Sequence, residues 1–327
     1  IWKQGDTYLG LLGHSTLLSS TDLVNWKVAN GSFLSGPSFP IDDGSCPNFL
    51  PIADKHILLM FSHKRGGQYL HQYSDRQKLT FQPYEHGRFN HRELSPGGVH
   101  APSATTDGKG NVINILNIND GKFDDGKPSK VWDHLFSLAQ QLTLGPDRRL
   151  RIAPVAATDS LRHGHRHVGE TALPANRELV LEAIQGDGME LDFEIDPQMS
   201  RWVQLNVLRS PNAEEQTSIT FYNFDRPVTY FYSPPGLLCL DGLRASELPD
   251  AWTRPPEVAE LKRGAEPLKL RVFIDRSVVE VFANGKQYLA IRVYPGRQDS
   301  LGVSLRAQGQ GAVLKRLDAW QMKSIYP

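Results

Sequence analysis

The chain has 327 residues, with 36 Lys plus Arg against 36 Asp plus Glu and a formal net charge of zero. That length predicts two domains, each large enough for its own core, and the balanced charge with no basic run argues against a polyanion such as nucleic acid as partner. No apolar run approaches the roughly 20 residues of a membrane helix, and Cys46 and Cys239 stand too far apart in sequence to argue for a CxxC metal site or a disulfide framework. A neutral ligand such as a sugar fits better. The start shows no signal-peptide pattern. Because it opens on Ile1-Trp2, without Met and directly on a strand-like run, we read the chain as the remainder of a longer protein, and its compartment stays open.

The N-terminal half carries a weak internal repeat. GDTYLGLLG begins at Gly5, ADKHILLMFS at Ala53 and GKGNVINILNI at Gly108, each a short turn followed by an apolar strand. Their spacing of about 50 residues suits one four-stranded propeller blade per repeat. Further strands are expected in STLLSSTDLVNWK, with a turn at Ser20-Thr21-Asp22, and in GGQYLHQYSDRQKLTFQP. About three units are visible where a closed propeller has about four to eight blades, so the expectation is a propeller lacking its first blade or more. From Trp132 to Asp159 the repeat stops, a Gly145-Asp147 turn joins two short strands, and this stretch reads as the bridge between domains.

Beyond it Met189, Leu191, Phe193 and Ile195 alternate with Glu190, Asp192 and Glu194, and Val203, Leu205 and Val207 do the same. This is the period of strands with one buried face. Strands are predicted at 218–224, 228–232, 300–307 and 313–322, and the Pro- and charge-rich 248–267 reads as a long surface loop. In LKLRVFIDRSVVEVFANGKQYLAIRVYP, from Leu268 to Pro295, strands meet at Asp275-Arg276 and at Asn284-Gly285. An Asn-Gly pair supplies the positive φ angles of a two-residue type I′ hairpin. Such a meander must bury its apolar face on another sheet. The fold class is all-β: a partial β-propeller over 1–159, then an antiparallel β-sandwich over 160–327.

A propeller followed by a sandwich that closes on FIDRSVVEVFANG resembles glycoside hydrolase family 32, the invertases, inulinases and other β-fructosidases. IWKQGDTYLGLLG is similar to the strand after the family's Arg-Asp-Pro motif, and STDLVNWK to its Ser-x-Asp-Leu-x-x-Trp turn. CPNFLPIADKHILL resembles the Cys-Pro-Asp-Phe-Phe segment, HAPSATTDGKGNVI the Tyr-Ala-Pro-Gln-Ser run, and LAQQLTLGPDRRLRIAPV the Leu-Pro-Arg-Glu-Leu segment. The resemblance implies an incomplete five-bladed propeller that holds the site, and a substrate such as sucrose or a fructan. It also implies a retaining mechanism through two carboxylates about 5 Å apart, with no cofactor and no metal. The family's nucleophile and transition-state-stabilising Asp would precede Ile1, so this chain alone is expected not to hydrolyse fructosides.

The family's acid/base is the Glu immediately before the Cys of its Cys-Pro segment, and here Ser45 stands there, before Cys46, in DDGSCPNF. A serine hydroxyl does not donate a proton near neutral pH as a carboxyl of raised pKa does. Three readings of Ser45 stand side by side: a non-hydrolytic relative that keeps the sugar pocket, a branch in which another carboxylate serves, or a shifted register. Asp43 is the nearest substitute, because residues two apart on a strand face the same side; otherwise it and Asp42 are turn carboxylates.

His100 stands where the resemblance places an aromatic beside the site, so it is either a hydrogen-bonding group for a sugar hydroxyl or a surface histidine. Asn117 falls near the place of a sugar-stacking Trp in many relatives. Trp132 either lines the pocket with its face on a furanose or packs in a core. With Asp43, Ser45 and Cys46, these are the candidate site residues. His163, His165 and His167 alternate, which would place three imidazoles on one strand face, but without neighbouring Cys or carboxylate ligands the expectation is a solvated strand rather than a metal site. Asp275, Arg276 and Glu280 read as structural, in cross-strand pairs with Arg271 or Arg292. The partners implied are a carbohydrate, no nucleic acid and no membrane, with a homodimer through the sandwich compatible with either reading. The alternative to an enzyme is a non-catalytic carbohydrate-binding protein on the same scaffold.

Overall fold

The computed structural model describes residues 1–13, 15–31, 33–34, 44–63, 66–72, 74–75, 79–82, 85–88, 98–119, 134–223, 236–251 and 255–325. It divides into two compact units, one of residues 1–117 and 136–153, the other of 118–135 and 154–327. Among the described residues no helix is long and apolar enough to cross a membrane.

The first unit is a partial propeller of antiparallel sheets. One sheet runs β1 (Trp2–Gln4), β2 (Thr7–Leu12), β3 (Thr16–Ser20), β4 (Lys27–Asn30). The next is built from β5 (Ser45–Ile52), β6 (Lys55–Ser62), β7 (Gly66–Gln72) and β10 (Glu85–Arg88), with a two-stranded ladder of β8 (Ser74–Asp75) and β9 (Thr80–Phe81) in the same stretch of chain. The third holds β11 (Val99–Thr106), β12 (Val112–Ile118), β13 (Leu135–Phe136), β14 (Gln140–Leu144) and β15 (Leu150–Pro154). The expected turn at Ser20-Asp22 forms because the Asp22 carboxylate accepts the N–H groups of Val24 (2.9 Å) and Asn25 (2.8 Å). These bonds, led by that from the Asn25 backbone, hold the carboxyl far below its ordinary range. On β6 the run Ile57, Leu58, Leu59, Met60, Phe61 is buried throughout, which marks a strand covered on both faces. Phe33, Phe81, Leu58 and Met60 form the core, and Phe49 packs edge-on against Phe33 and Phe81 at 5.1 and 5.2 Å.

The stretch expected to bridge the domains contains the strands β13, β14 and β15. Gln140 and Leu142 of β14 are buried, β14 pairs with β12, and the Gly145-Asp147 turn closes through Arg148 N–H to Gly145 O at 2.8 Å.

The second unit contains a sandwich. Its strands are β16 (Arg162–Val168), β17 (Thr171–Leu173), β18 (Glu178–Gln185), β19 (Gly188–Asp196), β20 (Trp202–Arg209), β21 (Thr217–Tyr222) and β22 (Gly236–Asp241). They continue through β23 (Glu257–Leu261), β24 (Leu268–Asp275), β25 (Val278–Ala283), β26 (Gln287–Arg292), β27 (Gly302–Gln308) and β28 (Ala312–Met322). A seven-stranded sheet has the order β16-β28-β19-β24-β25-β26 with β17 on β28, and a six-stranded sheet the order β18-β27-β20-β21-β22-β23. Leu191, Phe193 and Ile195 of β19, Val203 and Leu205 of β20, and Leu270 and Val272 of β24 are buried in one core. Each such side chain contributes roughly 1.5–3 kcal/mol by leaving water.

Three expectations about loops and cross-strand pairs need correction. The loop expected over 248–267 contains β23, because Glu257, Ala259 and Leu261 alternate inward and pair with β22. The Asn284-Gly285 turn has the predicted positive φ at both residues (49° and 61°), but Ala283 pairs with Gln287, so the loop is one residue longer than a two-residue hairpin. Asn284 is held there by Nδ2 donating to Pro267 O at 2.9 Å and Oδ1 accepting from Lys269 N at 3.1 Å. Arg271 does not pair with Asp275 or Glu280. It donates to the fully buried Glu190 at 2.8 Å, which also takes two bonds from Arg162 at 2.7 and 2.6 Å, while Glu280 accepts from the buried Tyr288 hydroxyl at 2.6 Å. The strand predicted at 228–232 lies outside the described residues.

The three histidines of β16 do not share a face. A β-bulge between His163 and Arg166, with Gly164 at φ 62°, adds one residue against β28 and reverses the parity of the strand. His165 and His167 therefore both meet Asp318 Oδ1, each at 2.8 Å, and His165 stacks on Trp320 at 5.0 Å, while His163 pairs with Gln321. Burial pushes the Asp318 carboxyl up, but bonds from His167, His165 and Arg316 outweigh it and leave it below its ordinary value. Since left-handed backbone costs an L-residue with a Cβ about 1–2 kcal/mol, Gly164→Ala is expected to destabilise the sandwich by about 1 kcal/mol, read as a lower urea midpoint at unchanged m.

Candidate functional site

The site is built on β5, β6, β11 and β12 of the first unit. Ser45 opens β5 directly across from Phe61 of β6, so the two side chains share a face. The register then slips between Ser45 and Asn48, and Cys46, in the slip, takes φ 50° and is an exposed free thiol. On β11 the half-buried His100 sets its ring 5.5 Å from that of Phe61, and the residue after it, Ala101, takes φ 49°. Asn117, on β12, brings Nδ2 to 3.3 Å from His100 Nε2. The amide N–H donates there when Nε2 is the unprotonated nitrogen.

Three of the residues singled out from sequence are thus brought together: Ser45 and His100 flank Phe61, and Asn117 braces His100. Cys46 adjoins them through the backbone. Asp43 and Trp132 lie outside the described residues. His100 is not a free surface histidine, because its ring packs on Phe61 and its Nε2 meets Asn117.

Sequence reasoning passed over two features. One is the pair of left-handed residues, Cys46 and Ala101, each immediately after a candidate residue. Such backbone costs of order 1–3 kcal/mol for residues other than glycine and persists where surroundings hold it, often at functional sites. The other is Asn48, whose Nδ2 donates to Cys46 O at 3.0 Å and to Pro102 O at 2.9 Å, while its Oδ1 accepts from Ala104 N at 3.3 Å. A polar residue inside the otherwise apolar NFLPI run was the signal available.

Chemically, the described part of the site offers neutral groups: a hydroxyl, a thiol, an imidazole and an amide. These can donate to and accept from sugar hydroxyls. Among the described residues no group of three or more His, Cys, Asp or Glu is arranged to hold a metal ion. That includes His165, His167 and Asp318, whose contacts are the hydrogen bonds described above.

The sequence is 26% identical to the sucrose-6-phosphate hydrolase of Escherichia coli, over 98% of this chain and 66% of that protein. The chain therefore spans about two thirds of that relative's length. Its fold matches the crystal structure of fructan 1-exohydrolase IIa from Cichorium intybus with a TM-score of 0.80 at 18% identity, over 98% of this chain and 68% of the other. A variant of the same chicory protein in complex with 1-kestose matches with a TM-score of 0.77 at 18% identity, over 94% of this chain and 67% of the other. The family profile described as "Glycosyl hydrolases family 32 C terminal" matches residues 157–321, half of the chain. The chain belongs to glycosyl hydrolase family 32.

Proposed function

We propose that the protein carrying this chain acts on β-fructofuranosides, sucrose or a fructan, as a glycosidase of the family's retaining type. We place the sugar against Ser45, Cys46, His100 and Asn117. The observation that carries this reading is the convergence of Ser45, His100 and Asn117 around Phe61, on the strands that resemble the family's Cys-Pro-Asp and Tyr-Ala-Pro segments. The names of the relatives, a sucrose-6-phosphate hydrolase and a fructan exohydrolase with 1-kestose bound, point to the same class of sugar.

In this reading His100 and Asn117 hydrogen-bond sugar hydroxyls. Ser45 occupies the place of the proton donor, and acid catalysis falls to another carboxyl, with Asp43 the first to test. Trp132 would add a stacking face. A second reading, binding without hydrolysis, is favoured by one specific observation: the half-buried side chain at the donor position is a hydroxyl rather than a carboxyl.

The test is calorimetric titration of the protein with sucrose, sucrose 6-phosphate and 1-kestose, followed by an assay for released fructose. At least one sugar is expected to bind, and His100→Ala is expected to weaken it up to about tenfold through loss of one net hydrogen bond. Binding with release supports the glycosidase, and binding without release supports the second reading. Binding of none of the three removes both.

A further inference from the structure

We propose that Asn48 is the positioning residue of this site, a clasp whose amide fixes the two left-handed corners that carry Ser45 and His100. The inference deepens the proposed fructoside site and rests on it for its ligand. Cys46, φ 50°, directly follows Ser45, and Ala101, φ 49°, directly follows His100. The two corners lie on β5 and β11, which pack beside one another. One side chain reaches both. The two hydrogens of Asn48 Nδ2 are directed at Cys46 O (3.0 Å) and at Pro102 O (2.9 Å), the carbonyl just past Ala101. The remaining oxygen, Oδ1, accepts the Ala104 N–H at 3.3 Å.

Two carbonyl acceptors and one N–H donor leave a single orientation for the amide, and every polar atom of the side chain is used in it. The family segment that this stretch resembles has Asp at the position. An ionised Asp has acceptors only, so here it would set a carboxylate oxygen against two carbonyl oxygens and lose both bonds to the corners. Left-handed residues with a Cβ persist only where the surroundings hold them. Without the clasp, both corners are free to relax toward ordinary strand geometry, carrying Ser45 and His100 apart.

The experiment compares the parent with Asn48→Asp and Asn48→Ala. It records the imidazole resonances of His100, assigned by their loss in His100→Ala, together with the melting temperature and the Kd for sucrose and 1-kestose. Both variants are expected to displace the His100 resonances well below their melting temperature and to weaken the sugar that binds by tenfold or more, with Asn48→Asp at least as damaging as Asn48→Ala. A lowered melting temperature with His100 resonances and Kd unmoved would mean a merely structural residue and overturn the proposal, as would an Asn48→Asp indistinguishable from the parent. If Asn48→Asp does not fold, Asn48→Ser takes its place. Its single hydroxyl donor is too short to span both carbonyls, and the same displacement of His100 is expected. If the parent binds none of sucrose, sucrose 6-phosphate and 1-kestose, the fructoside reading fails by itself, and the His100 resonances still decide the clasp.

Discussion

Unless another carboxyl already serves as the acid, replacing Ser45 by glutamate in the protein that carries this chain is expected to raise the rate of fructose release by about 10²–10⁴-fold, the range that a positioned general acid contributes. Ser45 follows the buried Gly44 and faces Phe61 across the β5–β6 ladder, while its own side chain stays half-exposed. A glutamate there extends two carbons further toward the site and has an aromatic neighbour on its own face. Partial burial of this kind disfavours the ionised carboxylate, so the new group stays protonated at a higher pH than a free glutamate and can donate to a leaving oxygen. The gain belongs in kcat with the Kd of the sugar nearly unchanged, because proton donation acts in the transition state and the groups proposed to contact the sugar remain. A new alkaline limb in the pH–rate profile would report the added acid. Full turnover in the parent, with no gain on substitution, would show that another carboxyl already serves, and Asp43→Asn would then be expected to abolish it. Retained binding with no release from either protein would leave the binding-only reading standing.

What could be read from the sequence was what depends on neighbours along the chain. The alternation of Met189 to Ile195 placed one face of β19 in the core, and Asn284-Gly285 announced positive φ angles that both residues adopt. The resemblance carried Ser45, His100 and Asn117 into one neighbourhood although 72 residues separate the first from the last. What escaped depends on partners far away in sequence. One glycine in left-handed backbone at Gly164 reverses the parity of β16, so two histidines rather than three meet Asp318. Strand β23 hides in a Pro- and charge-rich stretch, because its pattern of Glu257, Ala259 and Leu261 makes sense only beside β22. Asn48 reads as an odd polar residue in a strand until Pro102, 54 residues on, supplies its acceptor.

The largest expected loss of stability comes from a residue that no local pattern marks. Glu215 is fully buried, and its carboxylate accepts four bonds: Glu247 N at 2.7 Å and Gly296 N at 2.8 Å on Oε1, Arg297 N at 3.1 Å and the Ser300 hydroxyl at 2.6 Å on Oε2. It thus ties the loop after β20 to the one after β22 and the one after β26. Glu215→Gln keeps one acceptor oxygen but turns an NH₂ toward either two backbone N–H groups or one N–H and a hydroxyl. Since a buried donor left unsatisfied costs about 1–3 kcal/mol, we expect a loss of about 2–3 kcal/mol. Glu215→Ala strands three backbone donors and is expected to cost about 3–5 kcal/mol, at the upper end for a single substitution. The pH dependence follows from the same contacts. Burial pushes the Glu215 carboxyl up, but the Ser300 hydroxyl and the N–H groups of Glu247, Gly296 and Arg297 outweigh it, so its folded value lies below the ordinary one. A depressed folded value means that the unfolded chain binds this proton first on acidification. The contribution is therefore complete above the ordinary glutamate value of about 4.3 and is lost as pH falls through the folded value. Urea unfolding from pH 7 downward should show a parent-minus-Glu215→Gln difference that is constant above about pH 5 and shrinks below about pH 4. A difference that stays constant to lower pH, or a Glu215→Gln as stable as the parent at pH 7, would show that the carboxylate does not hold these loops.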